Sequence, residues 1–371
     1  MNPVFSAYLD IIRLLSALFV LLTHTNERWL IAEKLPFWDG HAAVIVFFVL
    51  SGFVIAFVTS TKEKTLEAYA ASRVARLYSL SLIAIVLTPI LDEVGRSLWP
   101  MIYEQSPHDH VLVRMLTSGL FAGEAWWQSM MTFSDQPFWS LNYEAWYYAA
   151  FGIILFAPAR IRAALLILGA LALGPKVLLL APCWAVGVWL YRTPVFNRLS
   201  AGMAAGMFLL ALAAIVLYRD WHLEQAFATG LRPIAGAYLF ERLSWASFFG
   251  ADWLLAALVA LNFGAARRLS SFMPAVGKGI TKALRYLGNL TFPLYIFHYP
   301  LLLLWGAVLR GDPMKPWFYC ATLALTLASC VLLGAVGEKL RPVIQRATFA
   351  LVVYVKRRRA VSLAQRAVRV G

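Results

Sequence analysis

The chain has 371 residues, 61% of them hydrophobic and 14% charged, with a mean hydropathy of +0.69. That composition excludes a soluble protein of two or three domains and defines an integral membrane protein. The formal net charge of +14 does not indicate nucleic acid as a partner, because Lys and Arg fall in short clusters between apolar runs, where they set orientation in a lipid bilayer.

The fold class expected is all-α, with apolar runs of bilayer-crossing length near 8–26, 41–60, 77–98, 138–157, 163–175, 176–192, 199–218, 247–264, 286–309 and 317–337. Gly174-Pro175-Lys176 is the only break between the fifth and sixth. Ten spans put both termini on one side. Assigning the basic clusters to the cytoplasm places 22 of the 33 Lys and Arg inside, 10 outside and Arg13 within the first span, so both termini are expected to be cytoplasmic. Residues 1–345 form the expected membrane domain and 346–371 a basic tail whose Lys356–Arg359 run, with Arg366 and Arg369, suits an anionic lipid surface. The N-terminus has no basic n-region or small-residue cleavage site, so the first run is expected to be a retained helix rather than a signal peptide.

The first span carries Asp10, Arg13 and His24. Ionisable groups in hydrocarbon cost a few kcal/mol each and usually face protein or water. Arg13 and His24 are eleven residues apart, three helical turns to within about 20°, so both leave one face with about 16 Å between them along the axis. Either Arg13 snorkels and His24 caps the far end, or the face belongs to a site.

The second span opens with Gly40-His41 and contains Ser51-Gly52. Gly52 is read as a close-packing residue; Ser51 either bonds its own i−4 carbonyl or serves as a nucleophile. Arg73 and Arg76 lie three apart. If the helix begins there, they share its first turn with unpaired backbone N–H groups, an arrangement suited to phosphates; plain cytoplasmic anchoring is the alternative.

The outer loops are expected at 25–40, 99–137 and 219–246, the last solvated and mixed in charge, with Trp126-Trp127 opening an interfacial or re-entrant helix. Glu27, Glu33 and Asp39 are scattered in the first loop without the paired-carboxylate pattern of a glycosyltransferase. In the fourth span Glu144 must be paired, protonated or facing a cavity, as a partner of Arg13 or of His24, with Asn142 and Tyr143 nearby. The ninth span has Pro293 in mid-run and sets Tyr295 and His298 three apart on one face. A satisfied histidine in a kinked helix and a second base are both open for His298. Cys183, Cys320 and Cys330 lie within apolar runs, with neither metal spacing nor a disulfide framework; no metal is expected.

These stretches together resemble acyltransferase family 3, bacterial membrane proteins that O-acylate surface glycans and some small molecules. The resemblance rests on Arg13-(ten residues)-His24, on residues 40–53 from Gly40-His41 to Ser51-Gly52-Phe53, on Arg73/Arg76, on Trp139-Ser-Leu-Asn-Tyr-Glu144, and on the run from Leu294-Tyr295 to His298-Tyr299-Pro300. They occur in the family's order over nearly the whole chain. Ser79 stands where the family commonly has proline, and no appended esterase-like domain is expected within these residues.

The resemblance implies transfer of an acyl group, most simply acetyl, from cytoplasmic acyl-CoA to a hydroxyl of a surface glycan or lipid-linked saccharide. It also implies residence in the bacterial inner membrane, as part of cell-envelope modification. His24 is then the base or the acyl carrier, Arg73, Arg76 and Arg13 bind the donor, Arg13 and Glu144 complete the catalytic set, and Asp10, Ser51, Tyr143, Tyr295 and His298 support it. The rival reading is a transporter or flippase of a glycolipid or small solute, against which no inverted repeat is visible.

Overall fold

The computed structural model describes residues 1–36 and 40–370, with side chains through 358 and at 365; Asp39 and the side chains of Arg359, Arg366 and Arg369 lie outside the described residues. Thirteen α-helices and no strand occur among them. In order they are α1 Pro3–His24, α2 Gly40–Thr61, α3 Leu66–Leu98, α4 Val111–Gly119, α5 Trp139–Phe156, α6 Ala159–Leu173, α7 Pro175–Arg192, α8 Ala201–Asp220, α9 Leu223–Ala235, α10 Ala237–Leu243, α11 Phe249–Leu269, α12 Lys278–Leu309 and α13 Pro316–Val370. The protein is an all-α polytopic membrane protein. Each expected span falls on one helix. Seven helical stretches among the described residues are long and apolar enough to cross a bilayer. The spans expected on α5, α6 and α7 fall outside those seven: α6 has 15 residues, and α5 and α7, of 18 each, are made less apolar by residues such as Asn142 and Glu144 and Lys176 and Arg192.

Local chemistry sets the boundaries. Asn2 caps α1 by accepting the Val4 N–H at 2.8 Å, and Pro3 takes a first-turn position where no N–H is needed. Thr65 accepts from the Ala68 N–H at 3.3 Å and Glu67 sits in the first turn of α3, so this helix begins at Leu66. That corrects the expected start near Arg73: both arginines lie inside the helix, and they offer guanidinium groups without free backbone N–H groups. Gly174 separates α6 from α7 with φ of +77°, a left-handed conformation that favours glycine.

α13 runs unbroken through the expected domain boundary at 345/346, with Pro342 inside it. Fifty-five residues make about 80 Å of helix, far more than a hydrocarbon core of about 30 Å. Its far part therefore projects from the bilayer, where Lys356 pairs with Glu67 of α3 at 2.7 Å.

Two outer-loop expectations are corrected. The segment after Trp126 is not helical. Trp126 and Phe133 adopt positive φ, and Trp126 is tied back to α6 through its N–H and its Nε1–H, which donate to the carbonyls of Leu173 and Leu171. The third loop carries α9 and α10, and there Glu224 is buried and accepts from Tyr218 Oη at 3.2 Å.

α12 packs against α1, α3 and α13, while α2 packs against α1, α7 and α11. Gly52 and Gly187 bring α2 and α7 together: a Cβ on Gly52 would stand 2.0 Å from the Trp184 carbonyl oxygen, and one on Gly187 2.0 Å from that of Val49. Gly52 is thus a packing glycine, as small residues in membrane helices commonly are. On the outside, leucines and isoleucines such as Ile167, Leu168, Leu209 and Leu210 are exposed, the surface a bilayer covers.

Lys176, fully buried at the start of α7, fastens the non-helical loop. Its ammonium donates to Glu124 Oε2 at 2.6 Å, to Ser129 Oγ at 2.7 Å and to the Gln128 carbonyl. Removing one partner of a buried pair leaves an uncompensated charge, at a cost of about 3–5 kcal/mol. Lys176→Met is expected to lower the melting temperature in detergent, and Lys176→Met with Glu124→Gln to recover most of the loss; the two melts compared check this.

Candidate active site

Two adjoining cavities lie among α1, α2, α3, α5, α12 and α13. The first, of about 160 Å³, is lined by Arg13, Arg76, Asn289, Glu338 and Arg341 among others. The second, of about 50 Å³, has Arg13, Phe47, Ser51, Arg76, Glu144 and Tyr295 in its wall. They share Arg13, Arg76, Thr291 and Phe292, and along α12 the lining moves from Tyr286 in the first to Tyr295 in the second. The second chamber is therefore the deeper one, further from the end of the bundle that carries Arg341.

The carboxylate of Glu144 organises the inner chamber. Its Oε1 accepts from Ser51 Oγ and Tyr148 Oη, each at 2.5 Å, and Trp184 Nε1 donates to Ser51 Oγ at 3.2 Å. Ser51 thus spends its hydroxyl across helices instead of on its own i−4 carbonyl. Arg13 and Arg76 lie within electrostatic reach of Glu144. Of the two partners open to Glu144 in the sequence, Arg13 is the one that shares its chamber. Asp10 is bonded to Arg13 at 3.4 Å.

The arginine pair of α3 is divided. Arg76 lines both chambers, its guanidinium 5.7 Å from the Phe292 ring centroid. Arg73 donates to Glu63 Oε1 at 2.7 Å and lies over the Tyr148 ring at 5.4 Å, bracing that tyrosine from behind. Tyr143 lines neither chamber; it is buried between Trp139, Phe48 and Tyr147. Asn142 holds the preceding loop, accepting from the Gly123 N–H at 3.3 Å.

His24 ends α1. Its ring meets those of His298 and Tyr299 with centroids 5.1 and 4.7 Å away. His298 is fully buried, and its Nδ1 lies 2.9 Å from the carbonyl oxygens of both Leu294 and Tyr295. A carbonyl only accepts, so Nδ1 carries the proton and Nε2 presents a lone pair. That Nε2 finds no hydrogen-bond partner among the described residues.

Arg13 and His24 therefore both face α12, Arg13 across the chambers lined by Thr291 and Phe292 and His24 against His298 and Tyr299. Neither chamber reaches His24, however. Tyr295 closes the inner one: its Oη is held by Ser140 Oγ at 2.7 Å and by the Pro137 carbonyl at 3.1 Å, and its ring meets Phe47 edge-on at 5.7 Å. Between the arginines and the imidazole stands this anchored aromatic ring, 6.4 Å from that of His298.

Two clusters and one further residue escaped the sequence reading. His41 Nε2 lies 3.0 Å from Asp252 Oδ1, and its ring stacks on Trp139 and Trp245. Asp92 accepts from the N–H and hydroxyl of Ser134, and the neighbouring Asp135 is wholly buried, so burial and the nearby Asp92 push its carboxyl well above the usual range. Arg341 lines the outer chamber from α13. The signal for Asp92 and Asp252 was present, an acidic residue inside an apolar run. Arg341 looked like one more basic residue of the tail.

Buried cations and a carboxylate gathered along one intramembrane cavity, with paired imidazoles beyond it, are the parts of a membrane enzyme that transfers a group. The family model for an acyltransferase domain, acyltransferase family 3, matches residues 6–335, and the chain belongs to that family: it is a membrane acyltransferase. No curated protein and no solved structure matches it.

Proposed function

We propose that this protein is an O-acyltransferase of the bacterial inner membrane, with both termini cytoplasmic. It takes an acyl group, most simply acetyl, from cytoplasmic acyl-CoA and delivers it to a hydroxyl of a surface glycan or lipid-linked saccharide. The observation that carries this reading is the division of α1: its middle offers Arg13 to a cavity shared with Arg76 and Glu144, and its C-terminal end sets His24 against His298.

In this reading the arginines receive the phosphates of the donor, since guanidinium binds phosphate bidentately, and the slender pantetheine arm carries the thioester towards His24 past Tyr295. The acceptor oxygen attacks the thioester carbonyl while His24 takes the hydroxyl proton; the carbon–sulfur bond breaks and the thiolate leaves, recovering that proton as thiol. If His24 is acylated first, the same bonds break in two steps. The 16 Å or so between Arg13 and His24 along an uninterrupted helix argues for Arg13 as a donor-binding group: even fully extended, it falls well short of an oxyanion beside His24.

The test is turnover without a gradient. Detergent-purified protein supplied with acetyl-CoA is expected to release free CoA thiol, and faster when a glycan acceptor is added. A transporter or flippase would leave the thioester intact.

A further inference from the structure

The outer chamber gathers three arginines, of which Arg13 is also paired with Asp10 at 3.4 Å. Arg13, Arg76 and Arg341 all line it, and Glu338 is the carboxylate in its wall. Arg341 stands within electrostatic reach of both Arg76 and Arg73, and Arg73 is already spent on Glu63. Three guanidiniums on three different helices, α1, α3 and α13, thus converge on one space of about 160 Å³. The Nε of Arg13 is buried and has no hydrogen-bond partner among the described residues. Like charges brought together around an opening repel one another, and an anion bound between them removes that cost.

Arg341 differs from the other two. It lies six residues beyond the last residue matched by the family, on the part of α13 that leaves the bilayer. It is exposed at the mouth of the chamber, whereas Arg13 and Arg76 are partly buried further in. A ligand that meets Arg341 first and Arg76 and Arg13 next carries its anionic groups within the outer chamber, and the portion that goes on into the inner chamber of about 50 Å³ is narrow. The geometry points to Arg341 as a donor-binding residue that grips the phosphorylated nucleotide end of the CoA thioester at the cytoplasmic mouth and leaves the pantetheine arm to thread inward. This rests on the acyl-CoA reading above.

The experiment is a binding titration on the full-length protein in detergent, with coenzyme A and with pantetheine, which lacks the phosphates, as the two probes. Arg341→Gln is expected to weaken coenzyme A about tenfold or more, the loss of one charge-assisted contact, and to leave pantetheine binding as in the parent. Arg346→Gln removes the same charge from the same helix; Arg346 donates to the Pro342 carbonyl, away from the chamber, and this variant is expected to bind coenzyme A like the parent. Equal weakening of both probes by Arg341→Gln, equal weakening of coenzyme A by both variants, or no effect of Arg341→Gln would each overturn the assignment. Failure of the parent protein to bind coenzyme A at all would instead remove the acyl-CoA reading itself.

Discussion

Replacing His24 with alanine is expected to reduce acyl transfer by about 10³-fold or more, while the protein still inserts, purifies and binds coenzyme A. A positioned base commonly contributes 10²–10⁴-fold, and an imidazole that carries the acyl group itself would leave nothing when removed. The side chain sits at the end of α1, where its ring contacts are with His298 and Tyr299. Its loss creates a small void among polar rings rather than a hole in the apolar core, so folding is little affected. Mass spectrometry of surface glycans from cells carrying parent or variant reads the outcome as gain or absence of one ester of defined mass. Ester formation at the parental level in the variant would mean that His24 does no chemistry.

Arg13 should fail in a different way. Arg13→Gln is expected to raise the KM for acyl-CoA about 10–100-fold, the larger share of the loss appearing there rather than in kcat, because a guanidinium that binds donor phosphate contributes mainly to association. Arg13→Lys keeps the charge but loses the planar fork and should fall between parent and Gln. The contrast follows from geometry: Arg13 opens onto both chambers, and His24 lies beyond Tyr295. Steady-state thioester consumption over a range of acyl-CoA concentrations separates the two parameters. A pure kcat defect would place Arg13 at the reacting carbonyl, against the separation along α1.

The spacing of Arg13 and His24 was readable because a helix is the one context in which eleven residues return a side chain to the same face, and α1 runs without a break from Pro3 to His24. The break at Gly174 was readable for a similar reason, since glycine followed by proline leaves the backbone few alternatives. The fate of Arg73 and Arg76 was not. Three residues apart on one helix, they share a face, yet Glu63 captures one and the cavity takes the other, and only the packed structure decides which. Arg341 was hidden more thoroughly, because the space it lines is made by helices that lie far apart in sequence. The Trp126 segment misled through composition: two tryptophans beside a polar stretch suit an interfacial helix, but the buried ammonium of Lys176 holds the segment's carbonyl and side chains as a fastened loop.

That an impermeant thioester enters from the end of the bundle bearing Arg76 and Arg341 is best tested in sealed proteoliposomes, with the orientation of the α13 tail fixed by protease access. Acyl-CoA added to the bath should release CoA thiol from vesicles whose tails face outward and from none whose tails face inward, with no ion gradient imposed. Equal release in both orientations, or release only when a gradient is applied, would contradict entry past the arginines.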